Sequence, residues 1–413
     1  MNIVDQTFCQ LEYDRFVARS YEAVPTAKAQ DVFALITKYS DKIDRRFYHQ
    51  RLADLEREPA SPNAHSYYAS RYGVRGVKRY RSSTGEVIYR LPVLSFEISE
   101  WRHHFTNCYL IVGDQVTLVD TGSPSSEASM EEAFKVVSQF YNEELTLADV
   151  DNVIITHAHI DHFGGLSYIT KKYNAKIYVH EDDADSIEDV PAALGVSQKA
   201  IANFLDSSGI ETDNLKELMA MYVSGKQAMQ GCKVDQRVKD GDSIINNYQV
   251  VHVPGHCPGH INIIVGDVIF LGDQVLMDIT PHQFPSLYMK GMGLVLYMAS
   301  LLKVCSLTRN IRLGLASHNH EVVDVRGRSL EIIDSHHERL ADLMAIMDEP
   351  KTLNEITIEY FSRFEGKELL GYDRILAFEE IQAHLEYLDL ALSSINVIKG
   401  KGDDKVFRYQ RNY

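Results

Sequence analysis

Thr156-His157-Ala158-His159-Ile160-Asp161-His162-Phe163-Gly164-Gly165 is the stretch that decides how this chain reads. It follows the apolar run 153–155, so it sits where a buried strand runs out into a loop. Four metal-capable side chains fall within six positions. On an extended backbone, residues i and i+2 point the same way, which lets His157 and His159 face one point. A tight turn after them brings Asp161 and His162 toward a second point close by. Gly164 and Gly165 let the chain turn closely and start a helix. An ordinary polar loop has no reason to hold three histidines and an aspartate at this spacing.

Working outward, the same arrangement recurs. His256 lies in Val253-Pro254-Gly255-His256-Cys257-Pro258-Gly259-His260, Asp273 ends Val268-Ile269-Phe270-Leu271-Gly272-Asp273, and His318 ends the run 311–317. Each candidate closes a β-rich run, and open α/β folds place their functional loops at such exits. Further β-rich runs lie at 108–112, 116–120, 153–156, 177–179, 249–253, 261–265, 268–271 and 311–315, with helical stretches at 127–141 and 164–173. Strands alternating with helices predict an α/β core whose sheets are covered by helices.

The flanks read differently. Residues 1–90 suggest a mostly helical extension, with Val32, Leu35, Ile36, Tyr39, Ile43 and Phe47 near helical spacing. Within it, 71–90 carries Arg71, Arg75, Lys78, Arg79, Arg81 and Arg90 against the single acid Glu86. That stretch reads as a solvated loop, or as a seat for an anionic group or for the acidic surface of another subunit. Residues 182–232 read as a helical insertion over a catalytic domain of 91–345. Residues 346–413 read as helices followed by a hairpin pairing 395–398 with 406–409, an outline that suits a winged-helix module. From 350 onward that module holds nine basic and eleven acidic residues, which is not the basic face of a nucleic-acid reader.

The 413 residues are 45% hydrophobic and 24% charged, enough for two or three domains with a sizeable core. The net charge of −16 repels phosphate backbones and disfavours a general nucleic-acid binder. Cys9, Cys108, Cys232, Cys257 and Cys305 stand singly, with neither a disulfide framework nor a thiolate zinc knuckle. With no apolar signal segment at the N-terminus, this predicts a cytoplasmic protein in a reducing compartment. The longest apolar stretch, 294–302, is too short to span a bilayer, so no membrane association is expected.

HAHIDH, VPGHCPGH, LGD and a later strand-end histidine resemble the metallo-β-lactamase fold superfamily of metal-dependent hydrolases. Asn107-Cys108-Tyr109-Leu110 and Val119-Asp120-Thr121-Gly122 match that superfamily's first two strands. The resemblance covers about 91–345 and implies an αββα sandwich holding two divalent metal ions, zinc first, with iron or manganese also suited to nitrogen and oxygen donors. It implies that His157, His159 and His256 hold the first ion, that Asp161, His162 and His318 hold the second, and that Asp273 bridges both. The family's last histidine usually sits in Pro-Gly-His-Gly. Here Ala316-Ser317-His318-Asn319-His320 departs from it, and aligning that tetrapeptide selects His318 over His320. Asp120 would orient a loop or ligand without binding metal. The implied chemistry is hydrolysis by a metal-bound hydroxide, with Asp161 holding or shuttling the proton.

A narrower resemblance runs through Gly272-Asp273-Gln274-Val275-Leu276, Ile279-Thr280-Pro281 and Ser335-His336-His337-Glu338-Arg339, to a branch with a winged-helix-like tail. Its members include thioester hydrolases, glyoxalase II-like hydrolases and endoribonucleases. The expectation is a small-molecule acyl thioester of coenzyme A or glutathione type. Lactone hydrolysis, phosphodiester cleavage and a mononuclear iron persulfide dioxygenase are the alternatives. Met219, Met221, Tyr222 and Met229 would line an acyl pocket, the basic stretch would meet coenzyme A phosphates, and the flanking modules offer homodimer surfaces. His103, His104, His180, His252 and His260 read as structural or exposed, and Cys257 as a small packing residue.

Overall fold

The computed structural model describes residues 76–99, 102–210, 229–366, 369, 372–400 and 405–412. The helix expected within 31–58, Arg71 and Arg75, and the insertion residues Met219, Met221 and Tyr222 lie outside them.

Two sheets form the centre. The first has seven strands in sequence order: β1 (Lys78–Arg81), β2 (Val87–Ser99), β3 (Arg102–Val112), β4 (Val116–Val119), β5 (Asn152–Ile154), β6 (Lys176–His180) and β7 (Gln236–Val238). Its first four strands pair antiparallel as a meander, and β4 through β7 run parallel. The second comprises β8 (Ser243–Ile244), β9 (Tyr248–His252), β10 (Ile261–Val265), β11 (Val268–Gly272) and β12 (Leu313–Ala316), in the order β12-β11-β10-β9-β8. Only β11 and β12 pair parallel in it. The parallel connections need crossovers, and helices supply them: α1 (Glu127–Tyr141), the short α2 (Ile160–Phe163), α3 (Leu166–Lys172), α4 (Glu181–Glu188), α5 (Val190–Ser208) and α6 (Leu294–Leu307).

Side-chain alternation along the strands sorts the core into three layers. Tyr109, Ile111 and Ile154 meet Ile261, Ile263, Phe270 and Leu315 between the sheets. Their neighbours Cys108, Leu110 and Val153 face outward onto Met130, Phe134 and Val137 of α1. Ile269 and Leu271 of β11 face the other way, onto Tyr297, Leu301 and Val304 of α6 and onto Ile332 and Ile333 of α7 (Val325–Ile346). The result is the expected αββα sandwich. Phe270 is fully buried in the middle layer, and burying such a ring contributes about 1.5–3 kcal/mol. This packing sets the spacing between the loops that leave the two sheets.

Three expectations change. The boundary placed at residue 90 falls inside β2, because Tyr80, Ile88 and Tyr89 are core residues and β1 and β2 begin the first sheet. The basic stretch 71–90 is not a solvated loop where it is described: Arg90 is 2% exposed and its guanidinium bonds Glu321 at 2.9 Å, with the Lys78 ammonium 3.4 Å from the same carboxylate. Neither charge is available to a phosphate. The C-terminal hairpin is shifted: β14 (Ile395–Ile398) pairs with β15 (Arg408–Arg411), putting the buried Tyr409 opposite Val397, where its hydroxyl donates to Gln382. A short β13 (Lys351–Thr352) adds a third strand. This sheet accompanies α8 (Leu353–Tyr360), whose first turn is closed by a Thr352/Glu355 capping box, and α9 (Tyr372–Leu390). Leu353, Ile356, Phe378 and Ile381 pack into the same core as α6 and α7.

Candidate metal centre

The exits of β4, β5, β9, β11 and β12 open at one end of the sandwich, where all seven candidate residues meet. His157 Nε2 lies 2.9 Å from His159 Nδ1, and His256 Nε2 lies 3.1 Å from that same Nδ1. Asp273 Oδ2 is 4.0 Å from His157 Nε2 and 3.6 Å from His256 Nε2. On the other side, Asp273 Oδ2 is 3.5 Å from His162 Nε2, while Asp273 Oδ1 is 3.4 Å from His318 Nε2. Asp161 Oδ2 completes that side, 3.6 Å from His162 Nε2 and 3.4 Å from His318 Nε2. Asp273 therefore belongs to both groups. Donors held about 2.0–2.2 Å from a tetrahedral ion sit roughly 3.3–3.6 Å apart. The five contacts of Asp161 and Asp273 with His162, His256 and His318 fall within about that range, while the separations among His157, His159 and His256 are shorter and that of Asp273 from His157 is longer. His162 Nε2 and Asp273 Oδ1 are buried with no hydrogen-bond partner, which a cation would supply. The donor set fits two divalent ions.

Each imidazole is aimed by what its other nitrogen meets. His162 Nδ1 lies 2.9 Å from Asp120 Oδ2, His256 Nδ1 2.8 Å from the His282 carbonyl, and His318 Nδ1 2.9 Å from the Phe105 carbonyl. His157 Nδ1 is 3.1 Å from the Thr156 hydroxyl. A hydrogen donated to a carbonyl or carboxylate fixes the tautomer and leaves Nε2 as the donor atom toward a cation. Asp120 has the orienting place expected of it: its carboxylate also accepts from the Thr156 amide and hydroxyl, at 2.8 Å each. His260 Nε2 accepts the Asp273 amide at 3.0 Å, a structural role as expected. His320 pairs with Asp278 on the surface and stays out of the cluster.

The two groups carry opposite electrostatics. Burial, reinforced by neighbouring imidazoles, pushes His157 and His159 well down, so both are neutral. Burial also opposes charge on His162 and His318, but the carboxylates win. Asp161, Asp273 and Asp120 hold His162 well above its ordinary value, and Asp273 and Asp161 raise His318 to about 9. Burial alone would raise Asp161, yet His162, His104 and His318 keep it well below the carboxylate range.

Several contributors had no local signal in the sequence. His104, read as structural or exposed, places Nε2 3.3 Å from Asp161 Oδ2, beside the Thr106 hydroxyl that donates to the same oxygen at 3.1 Å. Asp183 ties the two histidine loops together, accepting from the Ala158 amide at 2.8 Å, the Gly259 amide at 2.7 Å and the Cys257 thiol at 3.4 Å. Burial pushes its carboxyl up to about 6 despite those donors. It falls in the segment expected to be a mere covering insertion. Its position after β6, at the start of a helix, was the available clue.

A cavity of about 270 Å³ opens beside His159 and Asp161. Ile160, Leu194, Met229, Phe284 and Met292 supply apolar walls, and Glu379 reaches it from α9. Among the described residues, no lysine or arginine lines it.

A sandwich of this form with this donor set defines a class. The chain belongs to the metallo-beta-lactamase superfamily, whose family profile matches residues 101–307, half of its length. It is 25% identical to a metallo-beta-lactamase family protein from Thermus thermophilus, with a TM-score of 0.62 over 79% of this chain and 98% of that one. It is also 24% identical over 293 residues to the probable metallo-hydrolase YqjP of Bacillus subtilis, spanning 68% of this chain and 86% of that protein. A shorter match, 25% identical over 126 residues, relates it to the hydroxyacylglutathione hydrolase of Shewanella pealeana and takes in 30% of this chain and 32% of that enzyme. The protein is a metallo-hydrolase of this superfamily. No helix among the described residues is long and apolar enough to cross a membrane.

Proposed function

We propose that the protein holds two zinc ions, one on His157, His159 and His256 and one on Asp161, His162 and His318, with Asp273 shared, and that it hydrolyses acyl thioesters. The observation that carries the substrate class is the apolar cavity beside Asp161 and His159, which suits an acyl chain and, among the described residues, offers a polyanion no lysine or arginine. The partial likeness to hydroxyacylglutathione hydrolase supports the same class. When bound, the ions supply Lewis acidity and lower the pKa of water toward neutrality.

The chain's own residues do the rest. Phe284, Leu194 and Met229 bind the acyl group and exclude bulk water, placing the thioester carbonyl against the donor cluster. Asp161, whose carboxylate is held by His104 and Thr106, takes the proton of the attacking water. The C–O bond forms as the C–S bond breaks, Asp161 hands its proton to the departing sulfur so that the carboxylic acid and the thiol leave, and Thr106 keeps the Asp161 carboxylate in place throughout. The absence of basic lining among the described residues argues against a nucleic-acid substrate. With Lys78 and Arg90 committed to Glu321, neither of these two cations supports a coenzyme A phosphate seat. The test is metal content by elemental analysis together with a panel of acyl-CoA, glutathione thioesters, neutral thioesters, lactones and a nuclease substrate. About two zincs per chain with thioester cleavage is expected. One iron without hydrolysis, or cleavage confined to lactones or nucleic acid, overturns the reading.

A further inference from the structure

His256 is aimed by a carbonyl that belongs to a loop, not to a strand. That loop runs on through Gln283 to Phe284 in the cavity wall, and α9 grips it through two consecutive carboxylates. Glu379 Oε2 lies 3.1 Å from His282 Nε2, and Glu380 Oε2 lies 3.4 Å from His282 Nδ1. The same Glu380 oxygen accepts the Gln283 amide at 2.7 Å. Glu379 is 2% exposed and Glu380 8%. Their charge is balanced locally: Arg339 of α7 pairs with Glu380 Oε1. One helical turn on, His384 Nδ1 meets the Glu380 carbonyl at 2.6 Å, and its Nε2 lies 3.0 Å from His336 Nδ1 of α7. Buried ions of this kind persist only where their partners are complete, and here the partners are drawn from α7, α9 and the loop.

We propose that Glu379 and Glu380 of the C-terminal helix are positioning residues for the metal centre, acting through His282, whose ring they clamp and whose carbonyl orients the His256 imidazole. The C-terminal unit is then part of the active site and not an appended module. The two acids are adjacent in the chain, and between them they engage both nitrogens of the His282 ring. Glu379 does double duty, because it also lines the cavity and so links acyl binding to the aim of His256.

This rests on the reading that His256 holds an ion, and metal binding tests the two separately. Full-length wild-type protein would be compared with Glu379→Gln, Glu380→Gln, His256→Ala and a control at the exposed Glu338 of α7, Glu338→Gln. Zn2+ affinity is read by competition with a chromophoric chelator, the ligand field by visible absorption of the Co2+ form, and folding by thermal midpoint of the metal-free protein. Loss of an outer partner of a ligating histidine typically lowers affinity about 10–100-fold. The expected result is about a tenfold loss with a changed Co2+ spectrum for both glutamate variants, and no change for the control. Unchanged affinity and spectrum in both variants overturns the clamp. So does an affinity loss that follows the thermal midpoint while the Co2+ spectrum stays put, which marks a structural role. Undiminished Zn2+ binding by His256→Ala overturns the ligand assignment itself.

Discussion

The two halves of the donor cluster lie within a few ångströms of each other and are prepared in opposite ways. The His157 and His159 side is neutral, its imidazoles stripped of protons by burial. The His162 and His318 side is an ion cluster in which protonated imidazoles already answer the charges of Asp161 and Asp273. One side waits for a cation with open lone pairs, and the other must give up protons to accept one. The difference comes from a single feature of the sequence: Asp161 and Asp120 both stand on the second side, whereas the first is nearly all histidine.

The hardest test of the comparison is the residue common to both halves. Asp273→Ala should reduce turnover to background and bring metal content from two ions to one or fewer, by elemental analysis. Full activity would dissolve the shared-carboxylate description. A milder change tests one half alone. Asp120→Asn removes the charge facing His162 Nδ1, and a weakening of the second ion by about 10–100-fold with the first retained is expected, measured by chelator competition. Equal weakening of both would mean that the halves are not separately built.

The last test is the pH dependence. In the metal-free protein His318 keeps its proton up to about 9, against an ordinary 6.5. An ion entering its side displaces that proton together with the one held on His162, so affinity there should climb by at least about tenfold per pH unit below pH 9. The neutral histidines of the first side should show little change between pH 7 and 9. The sign for stability runs opposite. A raised histidine pKa stabilises the metal-free fold fully below about 6.5 and is lost as pH rises through about 9, so its thermal midpoint should fall across that window. Equal slopes for both ions would break the comparison.

Much of this was legible from the chain alone, for a physical reason. Strand-exit loops keep their donors close in sequence, so HAHIDH and the later His256, Asp273 and His318 could be read from local spacing, and the layered core followed from alternation. The partners that aim those donors come from elsewhere. Asp183 starts a helix after β6, His104 sits within β3, and His282, Glu379 and Glu380 join a loop to a helix 97 residues downstream. No local pattern marks such pairs. β1 was hidden for a related reason: Lys78 and Arg90 look like solvent-facing charges until Glu321, more than two hundred residues on, is seen to pair with them. Local charge patterning cannot register a partner that only the fold supplies.

The carboxylate common to both halves has one more consequence. Two guests that draw on the same host group never bind independently. Whichever ion arrives first takes up negative charge that the other would have met, so uptake should be anticooperative, with two well-separated steps in a titration. When metal is supplied at about one ion per chain, chains carrying a single ion outnumber both empty and filled ones. The stoichiometry found in a preparation then records the supply it was grown on as much as the capacity written into its loops.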